Sequence, residues 1–295
     1  MIVFFTNGTL VNDKFIQMFK RVNSSTHVFV SLDGLTPYAH GKIRGIQNSL
    51  QKRIFNQTLE GVKKLVQNDI LCKVNTIIHK YNVRELPKMY YLMKKLGIKM
   101  WRLSLSKFVG RYKKTYKKFV PTKNNLFKAY RKLLELFLQD VKVENKKIII
   151  PLDLRIANVF KSEMLIKPLV SYTINDSTCE YQKNRVTIKP NGDVVPCGLL
   201  VDYPIGNIRK MPLKKIWYSR EMQYFKKFKI KNVIKCKECK YVKICGTGCR
   251  ANSLFSFGDL FHPDDDACLC FNFWEDMVEL VKQYGFEVKI INKKK

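Results

Sequence analysis

The sequence predicts an α/β protein, an incomplete β/α barrel followed by a small, irregular, cysteine-rich domain. Three observations carry this. From the N-terminus to about residue 110, short β-branched or aromatic runs alternate with helical patterns, as repeated βα units around a parallel sheet do. After position 178 the chain turns to short irregular stretches that hold all but one of its nine cysteines. At 295 residues it has room for one large or two ordinary domains, each able to bury a core without metal or disulfide staples, so metal is expected to serve function and not folding alone.

The strands fall at 2–5, 27–32, 72–78 and 98–105. Between them Val11, Phe15, Met18, Phe19 and Val22 mark one helix face, and Phe55, Leu59, Val62, Leu65 and Val66 a second. Val83, Leu86, Tyr90, Met93 and Leu96 mark a third, with Gly97 placed as its C-terminal cap. Four strands and three helices make part of a barrel. A basic, Tyr- and Lys-rich link at 111–118 leads to a helix at 126–138 and an apolar strand at 148–150, stopped by Pro151. The expected divisions are a truncated barrel over 1–115, a helical and strand connection over 116–170 and a cysteine-rich domain over 171–295. Within the last, Asn191-Gly192 signals a type I′ hairpin turn between 185–189 and 194–195, and a helix runs from about 213 to 228.

Fifty-five Lys and Arg against 24 Asp and Glu give a formal charge of +31, which invites a nucleic-acid partner because phosphate neutralisation drives such binding. The positive residues are mostly lysine and spread over the whole length, so a solvated surface explains them better and nucleic acid is not expected. The opening M-I-V-F-F-T-N-G turns polar after four apolar residues, and no stretch approaches the roughly 18 apolar residues of a membrane span. A cytoplasmic location without membrane association is therefore expected. Thiols stay reduced there, so the crowded cysteines are better explained as metal ligands than as disulfides. Cys72, apart from the rest at a strand edge, reads as a core residue.

Between Cys236 and Cys249 the chain reads C-K-E-C-K-Y-V-K-I-C-G-T-G-C. A cubane 4Fe-4S cluster needs four anionic ligands disposed tetrahedrally, and a C-x2-C loop presents two thiolates from one backbone turn. Gly246 and Gly248, flanking Thr247, let backbone amides approach the cluster sulfurs. Zinc also accepts four cysteines, and this run alone does not separate the two metals.

The wider constellation resembles the SPASM extension of radical SAM enzymes, C-x(9–15)-G-x4-C, a gap, C-x2-C-x5-C-x3-C, a gap, and a final C. Cys179, Gly192 and Cys197 match the first part. Cys236, Cys239, Cys245 and Cys249 match the middle and Cys268 the end, while I-G-N-I at 205–208 and L-K-K-I-W at 213–217 are also similar to that family. The resemblance implies two auxiliary 4Fe-4S clusters, one held by Cys236, Cys239, Cys245 and Cys268. The other would take Cys179, Cys197 and Cys249, with its fourth position left between Asp176, Cys270 and an open iron. Residues 4–111 resemble strands 3 to 6 of a radical SAM partial barrel through F-T-N-G-T-L, V-S-L-D-G, I-R-G and V-G-R. By that resemblance S-adenosylmethionine would meet Asn7 and Gly8 after the first strand, Ser31 and Asp33 on V-S-L-D-G, and Arg44, whose guanidinium would fork onto the methionyl carboxylate.

The C-x3-C-x2-C loop of the family and its G-G-E-P-like strand end are not found in these residues. S-adenosylmethionine is thus expected only if a missing N-terminal segment or a partner chain completes the barrel, which would also cover the edge of the first strand. The implied function is part of a maturase-like enzyme, not competent alone, that modifies a peptide or another sizeable substrate by radical chemistry and is served by an electron donor. Sulfatase maturases carry an aspartate base after the cysteine matched by Cys197; this chain has Gly198, which speaks against that activity. The alternatives are a non-catalytic iron-sulfur carrier or scaffold and a zinc-ribbon nucleic-acid binder.

Overall fold

A computed structural model describes residues 2–21, 26–157 and 159–293. Their contacts divide the chain into two compact units, Met1–Ser106 with Lys117–Pro168 and Phe273–Lys289, and Lys107–Tyr116 with Leu169–Asn272 and Ile290–Lys295.

The first unit is built on β1 (Ile2–Thr6), α1 (Asp13–Arg21), β2 (Thr26–Ser31), α2 (Pro37–Ile43), α3 (Asn48–Gln67), β3 (Leu71–Ile78), α4 (Leu86–Lys95) and β4 (Met100–Leu105). The four strands pair in parallel, in sequence order. Asp153–Ile156 adds a fifth parallel strand beside β4, and Phe160–Lys161 closes the sheet antiparallel, so the sheet is mixed. Alternation in β3 buries Cys72, Val74, Thr76 and Ile78, and in β4 Trp101, Leu103 and Leu105, which puts one face of the sheet in the core. The helix Lys123–Asp140, capped by the Thr122 hydroxyl, buries Leu126, Tyr130, Leu133, Leu134 and Phe137. Phe127 and Tyr130 on it meet Phe273, which leads into the helix Trp274–Gln283.

Two helix faces differ in detail from the sequence pattern. In α1, Ile16 and Phe19 are buried and Met18 is exposed, because Phe19 packs on Phe4 of β1, ring centres 4.9 Å apart, and turns Met18 outward; Val22 lies outside the described residues. In α3, Thr58 and Gly61 are buried beside Phe55, Val62 and Leu65, while Leu59 and Val66 are only half-buried. The reason is a close approach: a Cβ on Gly61 would stand 2.1 Å from the Gly8 carbonyl oxygen.

The second unit carries a three-stranded antiparallel sheet of Thr187–Ile188, Asp193–Val195 and Gly206–Asn207. Its hairpin turn is not type I′. A type I′ turn needs positive φ at both Asn191 and Gly192, but only Gly192 has it, at +86; Pro190 suits the first central position of an ordinary turn, so Pro190 to Gly192 form a three-residue loop with the Gly192 amide donating to the Lys189 carbonyl at 2.9 Å. The helix expected over 213–228 is two, Leu213–Trp217 and Arg220–Lys226, because the Ser219 hydroxyl accepts from the Met222 amide and starts the second. Tyr181, Val194, Leu200, Ile216, Phe225 and Leu254 form the main core of this unit.

Candidate metal centre

The thiols of the second unit fall into two sets. Cys236, Cys239, Cys245 and Cys268 line one cavity of about 180 Å³, together with Thr247 and Asp264. Burial pushes the Cys236 thiol up to about 11, and Cys268 and Cys239 push it the same way. Cys245 is pushed up to about 12 by burial, then by Cys268 and Cys236. Cys179, Cys197 and Cys249 pack instead against the core around Tyr181 and Leu200. Burial pushes Cys179 up to about 11 and Cys249 adds to it, while Cys249 is raised by burial, pulled down by Lys107 and raised again by Asp264 and Cys197. Thiols that crowd and raise one another hold their protons until a cation displaces them, which is the behaviour of a ligand set before loading.

Backbone amides face the sulfurs. The Thr247 amide donates to Cys245, the Arg250 amide to Cys179, the Leu199 and Leu200 amides to Cys197, and the Asn252 amide to Cys249. Such donors stabilise negative charge on cluster sulfurs. Among the described residues no three His, Cys, Asp or Glu side chains converge tightly enough for a single ion. The four thiols around one cavity and the amides aimed at sulfur fit an iron-sulfur cage.

A charged network supports Cys249. The Asp264 carboxylate, fully buried, accepts from the Cys249 amide at 2.7 Å and from Asn252 Nδ2 at 2.7 Å. Lys107 Nζ lies 3.4 Å from Asp264 and 3.3 Å from Asp266. Burial alone would lower Lys107, but the two carboxylates hold it above its ordinary value. The Phe108 amide donates to Asn252 Oδ1 at 2.8 Å, fixing the orientation of that amide side chain.

The two residues considered for the fourth ligand are placed differently. Asp176 is occupied, accepting from Lys293 Nζ at 2.5 Å and from the Thr173 amide at 2.7 Å. Cys270 is buried on the helix Asp265–Phe271. Tyr181 was missed by sequence reasoning. Its buried hydroxyl has no nitrogen or oxygen partner among the described residues and faces the Cys179 thiol, with Cys197 also close enough to raise it. Two residues from Cys179 in the chain, it had no spacing signal of its own.

In the first unit the residues expected to meet S-adenosylmethionine lie just past β1 (Asn7, Gly8), at the end of β2 and just beyond it (Ser31, Asp33) and at the end of α2 (Arg44). Arg44 Nη2 pairs with the buried Asp33 at 2.8 Å, and Asp33 also accepts from the Ile77 amide at 2.7 Å. A ligand carboxylate would share the guanidinium with Asp33. The Asp33 carbonyl accepts from Asn82 Nδ2 at 3.0 Å, its amide donates to His40 Nδ1 at 3.1 Å, and His79 Nε2 stands 3.1 Å from the same carbonyl. Neither histidine carried a sequence signal. Ser31 ends β2 opposite Asn75. Asn7 folds back on Thr9, accepting from its amide at 3.1 Å, and Gly8, at φ +81, packs against Val30 and Thr58.

Residues 179–240 match the SPASM family, described as an iron-sulfur cluster-binding domain. Comparison of the whole chain gives particular relatives, of whose length it spans about two thirds to three quarters. The chain is 28% identical over 274 residues to the AdoMet-dependent heme synthase of Methanosarcina barkeri, covering 89% of this chain and 73% of that one. It is 25% identical over 262 residues to the cysteine-type anaerobic sulfatase-maturating enzyme of Clostridium novyi, covering 84% of this chain and 63% of that one. The solved structure of native anSMEcpe with bound AdoMet and Cp18Cys peptide superposes with a TM-score of 0.66 at 16% identity, over 96% of this chain and 75% of that chain. The match thus falls where the cysteine register placed a SPASM domain, relatives named as AdoMet-dependent enzymes align with most of the chain, and the likeness to the solved structure is one of α/β fold. Among the described residues no helix is long and apolar enough to cross a membrane.

Proposed function

We propose that this chain is the cluster-bearing part of an S-adenosylmethionine-dependent radical enzyme that modifies a peptide or another sizeable substrate. The observation that carries the reading is the sorting of seven cysteines into two sets that part between Cys245 and Cys249. Cys236, Cys239, Cys245 and Cys268 would hold one 4Fe-4S cluster, and Cys179, Cys197 and Cys249 a second with one iron position free of cysteine. Bound clusters would supply one-electron transfer from a donor or an iron that binds substrate. The chain's own residues bury the sulfurs, aim amides at them and hold Cys249 through Asp264 and Lys107.

The sheet is read as an incomplete barrel. Its edge strand leaves Phe5 70% exposed and the following Leu10 81%, an apolar edge that further strands, from a preceding segment or a partner chain, would cover. S-adenosylmethionine would bind, in the completed barrel, by Ser31, Asp33, Arg44 and the Asn7-Gly8 turn. A tetrapyrrole is the second substrate class, favoured by the heme synthase relative and by Gly198, where a Cβ would meet nothing nearer than the Thr187 hydroxyl at 3.9 Å and no base is present.

Anaerobic reconstitution with iron and sulfide tests the reading. The wild-type chain should turn brown and hold about eight irons. Cys249→Ala should lose one cluster's iron while the other survives, and Cys239→Ala should lose the other. A colourless protein holding one or two zinc atoms, or equal loss of all iron in both variants, would overturn it. Quenching of cluster signals by a peptide or by a propionate-bearing tetrapyrrole separates the substrate classes.

A further inference from the structure

Arg250 follows Cys249 directly and is fully buried, at 0% exposure. Its Nη1 donates to the Leu260 and His262 carbonyls, each at 2.7 Å, and its Nη2 to the Thr247 carbonyl. The guanidinium carbon lies 4.9 Å from the centre of the Phe228 ring. Among the described residues no carboxylate pairs with it, and its Nε is buried without a partner. A guanidinium stays protonated in proteins, and carbonyl dipoles orient it without cancelling its charge. A buried charge left without a counter-charge is strongly destabilising. The Phe228 ring under it shares a core cluster with Cys236, and Leu260, whose carbonyl it holds, belongs to the cluster against which Cys179, Cys197 and Cys249 pack, so thiols of both sets surround it along with the Tyr181 hydroxyl, and its field acts on Cys179, Cys236 and Tyr181.

We propose that Arg250 is the shared counter-cation of the two cysteine sets, one fixed positive charge that offsets the negative charge gathered at both. The inference rests on the two-cluster reading above. A cluster gains negative charge on reduction, so a nearby cation favours its reduced form and raises its potential. One guanidinium between two sets does this to both, and its removal makes both harder to reduce. The three carbonyls account for the fixed position: they leave the side chain no low-energy route to another partner.

The experiment is a potentiometric titration followed by electron paramagnetic resonance on the full, reconstituted chain. Wild type, Arg250→Gln and Arg250→Lys are compared, with Cys249→Ala and Cys239→Ala backgrounds assigning each signal to its site. Arg250→Gln should shift the reduction equilibrium of both clusters by about tenfold or more, equal to about 59 mV downward for a one-electron couple, while Arg250→Lys stays within about threefold of wild type. Unmoved potentials in Arg250→Gln, a shift at one site only, or an equal fall in Arg250→Lys would each overturn the proposal, the last because it assigns the effect to the carbonyl fork and not to the charge. Where Arg250→Gln does not fold, Arg250→Lys decides alone, since it keeps the charge and gives up the fork: wild-type potentials support the proposal, and fallen potentials or an unfolded chain refute it. A wild-type chain that takes up no iron sinks the two-cluster reading before any arginine variant is made, whereas two titrating clusters that ignore Arg250 sink this inference alone.

Discussion

Asp264→Asn tests the support beneath Cys249 with almost no change of shape. The two carboxylate oxygens take four donors. Oδ2 accepts from the Cys249 amide at 2.7 Å and from Lys107 at 3.4 Å, and Oδ1 from Asn252 at 2.7 Å and the Asp266 amide at 3.2 Å. A carboxylate only accepts, but an asparagine has one oxygen and one NH2 group, so either orientation turns N–H against N–H on one side. The buried donor left unpaired costs about 1–3 kcal/mol. Breaking a buried ion pair outright costs about 3–5 kcal/mol, and Lys107 keeps Asp266 at 3.3 Å, so only part of that is lost. The expected destabilisation of the second unit is about 3 kcal/mol. Equilibrium urea unfolding of the metal-free chain measures it, and hydrogen exchange locates it, with protection of the Cys249 and Asn252 amides falling by about two orders of magnitude. Stability within about 0.5 kcal/mol of wild type and unchanged exchange would show that the carboxylate does not tie the loop.

Two predictions concern the first unit. Gly61→Ala puts a methyl group 2.1 Å from the Gly8 carbonyl oxygen, so the helix-propensity gain of about 1 kcal/mol is outweighed by overpacking and the variant should unfold at lower urea; equal or greater stability would mean that the Asn7-Gly8 turn yields freely. Burial, then Arg44 and His79, push His40 down to about 3 against an ordinary 6.5. The neutral ring is favoured in the fold, so its stabilisation is complete above pH 6.5 and falls by about 1.4 kcal/mol per pH unit as the unfolded chain, and not the folded one, takes a proton. His40→Asn should therefore flatten the pH dependence of unfolding between about pH 6 and 4 by one proton, and an unchanged slope would contradict the buried neutral ring.

What was legible followed from periodicity and spacing. The strands of the first sheet read clearly because one face is buried and β-branched residues alternate along it, as in L-C-K-V-N-T-I-I of β3. Gly97 at φ +70 closes α4 where the pattern placed a cap. Pattern failed where one side chain outweighed it. Ser219 cut a helical run in two, Pro190 changed a turn type, and Phe19, packed on Phe4, turned Met18 of α1 outward. The cysteines announced themselves by their intervals, but Asp264, Lys107, Tyr181 and Arg250 did not. A lone charged residue in a chain of +31 reads as solvated surface, and only the fold brings Lys107 and Asp264 to hydrogen-bonding range across 157 positions.

The parting of the two thiol sets has a local cause. Gly246, Thr247 and Gly248 take φ of 63, 73 and 76, three successive left-handed residues that reverse the chain between Cys245 and Cys249. Glycine does this without strain, whereas a β-branched threonine there costs about 1–2 kcal/mol. The cost is offset by contacts that the turn alone makes possible: the Thr247 carbonyl takes the Arg250 guanidinium, and its amide faces the Cys245 sulfur. Gly248 leaves no room for adjustment, because a Cβ would lie 2.5 Å from the Asp264 side chain that holds the Cys249 amide. Turn, guanidinium and carboxylate thus fix one another, and the loop cannot relax toward ordinary backbone without freeing a buried charge.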